Sequence, residues 1–146
     1  MDEIDRAILR ELQTDGRIAY ADLGPRVGLS ASAARQRLQR LLDSRAVQVV
    51  GVTDPMADGG QAMALLGITA AADPRPVADA LALHPEVVYS VLTSGGFDLF
   101  AEVVSPTAKE LLDFVNDTVR EIEGVSAVQS FPYFAIHTHR FLWGVG

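Results

Sequence analysis

The stretch "SASAARQRLQRLLDSR", residues 30–45, decides how the first third of the chain folds. Four apolar side chains recur at helical spacing and predict an amphipathic helix: Ala34, Leu38, Leu41 and Leu42. Ser30 precedes them and is well suited to cap the helix. The opposite side of the helix has small residues in its first turn and polar or basic residues after them. It carries Ser32, Ala33, Gln36, Gln39 and Arg40, with Arg35 and Arg37 flanking them.

Such a helix suits the major groove of DNA. Small residues allow close approach, while glutamine and arginine donate to base edges and phosphates. A merely solvated charged face is the alternative interpretation. The context favours DNA, because two helices and a turn glycine precede the basic helix and a strand follows it. We predict that double-stranded DNA is contacted by Ser30, Ser32, Ala33, Arg35, Gln36, Arg37 and Arg40.

The flanking sequence completes a winged helix-turn-helix over residues 1–52. A first helix starts behind Asp2, carries Ile4, Ile8, Leu9 and Leu12, and is closed by Gly16. A second helix is expected over residues 20–27, with Gly28 as the left-handed turn residue. "VQVVGV", residues 47–52, is predicted to form the strand of the wing.

The charge is unevenly distributed along the chain. Residues 1–50 hold 8 arginines and 7 acidic residues, whereas residues 51–146 hold 4 basic and 12 acidic residues. Five arginines and one aspartate lie within residues 26–45, a local charge of +4. This asymmetry indicates a basic DNA reader joined to an acidic module with another task.

Residues 53–61 are rich in turn formers and predict a linker to a second module, residues 62–146. There the order of strands and helices predicts a ferredoxin-like βαββαβ sandwich, so the whole chain is α+β. The strands are expected at residues 62–71, 87–93, 97–104 and 125–138. Pro74 or Pro76 opens one helix, and a capping box at residues 107–110 opens the other, which Gly124 ends. Pro132 fits a last strand at the sheet edge.

Both faces of this sheet are apolar, yet right-handed crossovers place both helices on one face. Along the first strand Met63 and Leu65 oppose Ala64, Leu66 and Ile68. Along the third strand Phe97 and Leu99 are expected to oppose Phe100 and Val104. An exposed apolar face of this size predicts a homodimer that packs sheet against sheet.

The polar stretch "TSGGFD", residues 93–98, joins the two middle strands. A phosphate cradle is disfavoured, because no lysine and no helix start follow the glycines. A plain hairpin is the simplest interpretation. A small-molecule sensor is the other, because the Asp98 carboxylate could pair with an ammonium group and the glycine N–H groups could bind a carboxylate.

These motifs together resemble the Lrp/AsnC family of bacterial and archaeal transcription regulators. The resemblance covers nearly the whole chain: "DEIDRAILRELQTDGRIAYADLGPRVGLS", "RLQRLLDSRAV", "SGGFDLFAEV" and "IEGVSAVQSF". It implies dimers that assemble into larger rings or octamers, with an amino acid or similar effector shifting assembly and DNA affinity. By position it implies an effector site at Thr93, Ser94, Gly95, Gly96, Phe97 and Asp98, completed by Gln129 and Ser130.

The sequence departs from the family pattern at three places. Gly24-Pro25 predicts a short or bent second helix, and Ser44-Arg45-Ala46 replaces the usual acidic-then-glycine exit of the reading helix. Val128 and Ser130 replace threonines that are common in amino-acid-binding members. An orphan module without an effector is therefore an alternative.

Other function classes are disfavoured. The chain has no cysteine and no apolar run near bilayer length, and its acidic start carries no secretory signal, so a cytoplasmic location without membrane contact is expected. His137 and His139 have metal-compatible spacing but no third ligand, so neither a metal nor a cofactor is expected. The architecture also resembles sirohaem decarboxylases, but the second module has only three scattered arginines for a tetrapyrrole: Arg75, Arg120 and Arg140. Without catalytic residues, the chain is predicted not to be an enzyme.

Overall fold

The structure is a computed structural model that describes residues 1–53, 56 and 60–138. Residues 1–52 and residues 53–137 form two compact units, each with its own core. The sequence predicts that Arg140, Phe141 and Trp143 belong to a C-terminal tail that packs on a neighbour. These residues and His139 lie outside the described residues.

The first unit consists of three helices: α1 (Glu3–Thr14), α2 (Tyr20–Arg26) and α3 (Ala31–Asp43). Ile8, Leu23, Ala34 and Leu38 form its buried centre. Asp2 caps α1 through a reciprocal capping box with Asp5, because each side chain accepts a hydrogen bond from the other residue's backbone N–H. Ser30 caps α3 by accepting from the N–H of Ala33 at 3.2 Å, as the sequence predicts.

The contact between α2 and α3 explains the unusual Gly24-Pro25 pair. A Cβ atom at Gly24 would lie 2.8 Å from the Leu29 carbonyl oxygen and 2.9 Å from the Ala31 nitrogen. Only glycine therefore allows α2 to approach the turn so closely. Pro25 lies inside this seven-residue helix, and Gly28 makes the turn at φ 71°.

The segment that follows α3 has a strained backbone at Arg45 and lacks the strand that the sequence predicts. Arg45 adopts φ 56°, a left-handed conformation that favours glycine. The N–H groups of Ala46 and Val47 both bond the Leu41 carbonyl and close the helix. The predicted wing strand at residues 47–52 is not formed, because its backbone has no strand partner within the described residues.

The second unit is an antiparallel sheet with helices on one face, the predicted ferredoxin-like sandwich. Its elements are β1 (Ala62–Ala70), α4 (Arg75–Leu81), β2 (Val87–Leu92), β3 (Leu99–Ser105), α5 (Ala108–Asp117) and β4 (Val125–Pro132). The strand order is β2-β3-β1-β4, which confirms β4 as an edge strand. A 3-10 helix, Val119–Glu121, follows α5.

Alternation along the strands separates a covered face from an open face. Inward residues of β1 and β3 pack against α4 and α5: Ala64, Leu66, Ile68, Leu99, Ala101 and Val103. Phe100 and Phe131, at the two sides of β1, belong to the face without helices. Exposed apolar side chains lie on β2 as well, where Tyr89 is 47% and Val91 37% exposed.

Three sequence predictions for this unit are corrected. Phe97 does not share the side of Leu99, because β3 begins only at Leu99 and Phe97 turns onto the open face beside Phe100. Helix α5 ends at Asp117 instead of running to Gly124, since Thr118 leaves helical geometry at φ −121°. Strand β4 ends at Pro132, short of the predicted residue 138.

Candidate DNA-reading face and sensor hairpin

The outward face of α3 forms a shallow concavity. It is lined by Ser32, Ala33, Arg35, Gln36, Gln39, Arg40 and Asp43. All seven residues come from one helix, so the face is open to a partner along its length. The Gln39 side-chain amide donates to Asp43 Oδ1 at 2.8 Å and holds the only acidic group of this face.

Arg37, which the sequence placed beside this face, has different partners. Its Nη1 donates to Asp2 Oδ2 at 2.6 Å and to Asp5 Oδ1 at 2.9 Å. Only 24% of the Arg37 side chain and 15% of the Asp5 side chain is exposed. The N–H of Asp5, followed by this guanidinium, lowers the pKa of Asp2, and the two carboxylates raise the pKa of Arg37.

Part of the positive charge on the first unit is already paired with carboxylates. Arg26 pairs with Glu11 at 2.9 Å, and Arg37 is held by two carboxylates. Arg35 and Arg40 form no ion pair within the described part of the chain. They are the arginines that α3 offers to an anionic partner beside Gln36.

The hairpin at residues 93–98 is closed by its own hydrogen bonds. The Thr93 N–H donates to the Asp98 carbonyl, and the Thr93 hydroxyl donates to the Phe97 carbonyl, both at 2.8 Å. Gly95 adopts φ 150°. Residues 93–96 are exposed, whereas Phe97 and Asp98 are half-buried. Some of the polar groups of the hairpin therefore stabilise the hairpin itself.

Asp98 joins the hairpin to the neighbouring strand. Its Oδ2 accepts from the Ala70 N–H at 2.8 Å, and its N–H donates to the Ile68 carbonyl at 3.0 Å. The ladder between β1 and β3 ends at the pair Ile68 and Leu99, so the Ala70 N–H lies beyond it and bonds this side chain instead. Asp98 therefore already has a structural role before any ligand is considered.

Phe97 lies flat against the middle of the sheet. A Cβ atom at Gly67 would lie 2.8–2.9 Å from three atoms of the Phe97 ring. The ring centroid is 5.3 Å from that of Phe100 and 6.2 Å from that of Phe131, and both contacts are edge-on. No local pattern in the sequence indicates that Gly67 accommodates this ring.

Gln129 and Ser130 lie on opposite faces of β4. Gln129 pairs with Gly67 and belongs to the open face beneath Phe97, whereas Ser130 pairs with Leu66 and follows the covered face. Of the two, only Gln129 shares the face of Phe97.

Sequence reasoning also missed an acidic group on the open face. Glu102 lies opposite Leu65 on β1 and Tyr89 on β2. Burial, together with the charge of Glu102 and a hydrogen bond to it, raises the pKa of Tyr133 to about 12. Glu102 and Tyr133 thus place a polar pair on a largely apolar surface.

Residues 1–53, 56 and 60–138 contain neither a membrane-spanning helix nor a metal-binding cluster. No helix in these residues is long and apolar enough to cross a bilayer. The same residues contain no group of three or more metal-ligating side chains that could hold an ion.

Two protein-family models match the chain, one for each unit. A model of the AsnC-type helix-turn-helix domain matches residues 1–42. A model described as "PF0864 C-terminal dimeric alpha+beta barrel domain" matches residues 72–146. The second description agrees with a sheet whose open face packs on another copy.

The similarity to known proteins covers most of the chain. The transcriptional regulator FL11 of Pyrococcus furiosus is 30% identical over 139 residues, which cover 94% of this chain and 91% of that protein. The regulator LrpA of Mycobacterium tuberculosis is 38% identical over 116 residues, 75% of this chain and 77% of LrpA. The crystal structure of regulator NMB0573 of Neisseria meningitidis with L-Met has a TM-score of 0.85 at 27% identity, covering 99% of this chain and 97% of that one.

Proposed function

The chain belongs to the Lrp/AsnC family of DNA-binding transcriptional regulators, and from this we propose that it reads its operator, as a homodimer, through the outward face of α3. The contacting residues in this proposal are Ser30, Ser32, Ala33, Arg35, Gln36 and Arg40. Arg37 is assigned a different role below.

The observation that carries the proposal is the exposed, unpaired basic group at the middle of α3. Arg35 and Arg40 have no acidic partner in the described chain, and Ser32 and Ala33 are small. Arginine binds phosphates and guanine edges, and small residues permit close approach to the groove. The net charge of −7 repels a polyanion overall, so a local group of unpaired arginines on the reading helix favours this face as the contact.

Salt-dependent DNA binding tests this assignment. Fluorescence anisotropy with a fragment of the chain's own promoter, at several salt concentrations, gives affinity and its salt slope. Arg40→Ala should weaken binding, and if Arg40 contacts phosphate the slope of a dimer should become shallower by about two.

Arg75→Ala is the matched control, because Arg75 is exposed and pairs with Asp73 in the second unit. It removes the same charge away from α3 and should leave operator affinity unchanged. Equal binding by Arg40→Ala and the unmodified protein would contradict the assigned face.

We further propose that the hairpin at residues 93–98 senses a small effector, with an amino acid as the first candidate. The L-Met complex of the Neisseria regulator supports this class of ligand. Exposed Ser94, Gly95 and Gly96 could present N–H and hydroxyl groups to a carboxylate, whereas Thr93 lines the site with both of its donors already bonded within the hairpin. Gln129 completes the site on the open face, and Ser130 is a weaker candidate because it follows the other face.

Asp98 requires two variants, because one carboxylate oxygen already holds Ala70. Asp98→Asn retains an oxygen that can accept from the Ala70 N–H but loses the charge that would pair with an ammonium. Asp98→Ala loses both. A thermal-shift screen over the common amino acids should raise the Tm for a few of them.

The shift should disappear in Asp98→Asn if the charge binds the ligand. If Asp98→Asn keeps the shift and Asp98→Ala loses it, the carboxylate acts only as a structural latch. No shift with any amino acid would favour the orphan module.

Assembly beyond the dimer is the remaining part of the proposal. An effector bound between modules would favour one packing of dimers, up to an octamer, and thereby change the spacing of the reading helices. Analytical ultracentrifugation with and without the ligand found by thermal shift checks this. An unchanged mass distribution combined with altered DNA affinity would refute coupling through assembly.

A further inference from the structure

Arg37 stands on the reading helix beside its concave surface but does not line it. It lies one turn from Ala33 and from Arg40, which belong to the reading face. Its guanidinium instead contacts two carboxylates at the start of α1, 32 and 35 residues earlier in the chain. The contact therefore links the middle of α3 to the first turn of α1.

The two carboxylates are themselves held in place. Asp2 and Asp5 accept each other's backbone N–H groups, at 2.8 and 3.0 Å, in the capping box of α1. Their side chains consequently present oxygens in a fixed position toward Arg37. A charge-assisted contact to two preorganised acceptors restrains a long side chain more than one flexible surface pair does.

Transfer of Arg37 to a DNA phosphate would have an electrostatic cost. It would leave Asp2 and Asp5 without their cation, two negative charges near a polyanion. Arg35 and Arg40 carry no such cost, because no described acidic group holds them.

We propose that Arg37 is a positioning residue for DNA reading: by clamping α3 to the capping box of α1 it fixes the angle at which the reading face meets the operator, and it does not itself contact DNA. This inference rests on the proposed reading face of α3. Its partners within the protein are Asp2 and Asp5.

Removing the two carboxylates separates positioning from contact, because the alternatives predict opposite signs. In Asp2→Asn/Asp5→Asn, asparagine still caps α1 well, but Arg37 loses its anionic partners. A contacting Arg37 would be freed for DNA and two repulsive charges would vanish, so operator affinity should rise. A positioning Arg37 would lose its clamp, so operator affinity should fall by at least about threefold.

Arg37→Gln and Arg37→Lys provide the second arm. Arg37→Gln should lower affinity for the operator more than for scrambled DNA and leave the salt slope unchanged, whereas a lost phosphate contact weakens both DNAs alike and flattens the slope. Arg37→Lys retains a cation and should recover part of the operator preference. Circular dichroism at the binding temperature verifies that each variant is folded, so that a loss of stability is not read as a loss of positioning.

Tighter operator binding by the double asparagine variant, or a flatter slope in Arg37→Gln, would overturn the proposal. Arg40→Gln serves as the independent control of the reading face. If Arg40→Gln leaves DNA binding unchanged, the proposed face fails, whatever the Arg37 variants show.

Discussion

Replacing Gly67 with alanine would place a methyl group against the ring of Phe97. The added Cβ would lie 2.8 Å from the ring's Cζ and 2.9 Å from Cδ1 and Cδ2. Ordinary carbon–carbon contacts are about 3.5–4.0 Å, so the ring must withdraw by roughly 0.6–1.2 Å. Phe100 and Phe131 flank the ring, and the hairpin bonds to Thr93 and Asp98 restrict its retreat.

The expected cost is the difference between two effects. Overpacking of this kind costs about 1–3 kcal/mol. Replacing a glycine within a strand by alanine stabilises the folded state by about 0.5–1 kcal/mol, because the unfolded chain then has less conformational entropy to lose. Gly67→Ala should therefore lower the free energy of unfolding by about 1–2 kcal/mol, or the Tm by about 5–10 °C for a unit of this size.

Urea denaturation at a fixed protein concentration measures this change, since dimerisation makes stability concentration-dependent. A double-mutant cycle with Phe97→Ala supplies the control. With the ring absent, the methyl group has space and Gly67→Ala should be neutral or stabilising.

A Gly67→Ala cost that persists unchanged in the Phe97→Ala background would exclude the Phe97 ring as the source of the strain. It would mean that the strain arises in the backbone of β1 and not from the ring. An unaltered stability of Gly67→Ala alone would place Phe97 away from Gly67 in solution.

Three further outcomes follow from single side chains. Arg45→Gly should raise stability to urea by about 0.5–1 kcal/mol by relieving the left-handed conformation, and a loss would show that the Arg45 side chain makes a stabilising contact. Asp98→Ala should cost about 1–2 kcal/mol and speed hydrogen exchange at Ala70, with Asp98→Asn milder; equal costs would contradict the latch. Tyr133 should form tyrosinate near pH 12, a step absent from Tyr133→Phe. Because folding raises the pKa of Tyr133, its protonated hydroxyl stabilises the folded state fully below pH 10.0, the ordinary pKa. This contribution to the free energy of unfolding is lost as the pH rises through about 12.

Local signals made most elements predictable. The capping residues Asp2, Ser30 and Thr107 begin helices where the sequence predicts them, because a side-chain oxygen near unsatisfied N–H groups acts within one turn. The order of strands and helices likewise determined the sandwich, since handedness and short connections leave few topologies.

The errors occurred where distant parts of the chain decide the outcome. The valines of residues 47–52 have strand propensity, but a strand requires a backbone partner that propensity does not supply. Alternation along a strand predicts that Phe97 lies on the same face as Leu99, but the strand begins only at Leu99. The Phe97 ring instead packs over Gly67, 30 residues earlier in the chain. In each case the deciding neighbour is remote in sequence.

In the candidate sites, too, local patterns are predictable from the sequence and contacts between distant residues are not. Periodicity alone placed Arg35, Gln36 and Arg40 on one face of α3. The same wheel put Arg37 beside them, because nothing local reveals that Asp2 and Asp5 reach its guanidinium. Similarly, Asp98 is predicted from the sequence as a ligand, whereas its bond to Ala70 joins residues 28 positions apart in the chain.

Affinity cleavage of DNA tests the central claim, that α3 reads the operator as part of a dimer, most directly. The chain has no cysteine, so Gln36→Cys can carry a single iron–EDTA group on the reading face, and Lys109→Cys on exposed α5 is the matched control. Cleavage from residue 36 should occur in two symmetric clusters, about one helical turn or a multiple of it apart. Operator binding without cleavage from residue 36, or equal cleavage from residue 109, would contradict it.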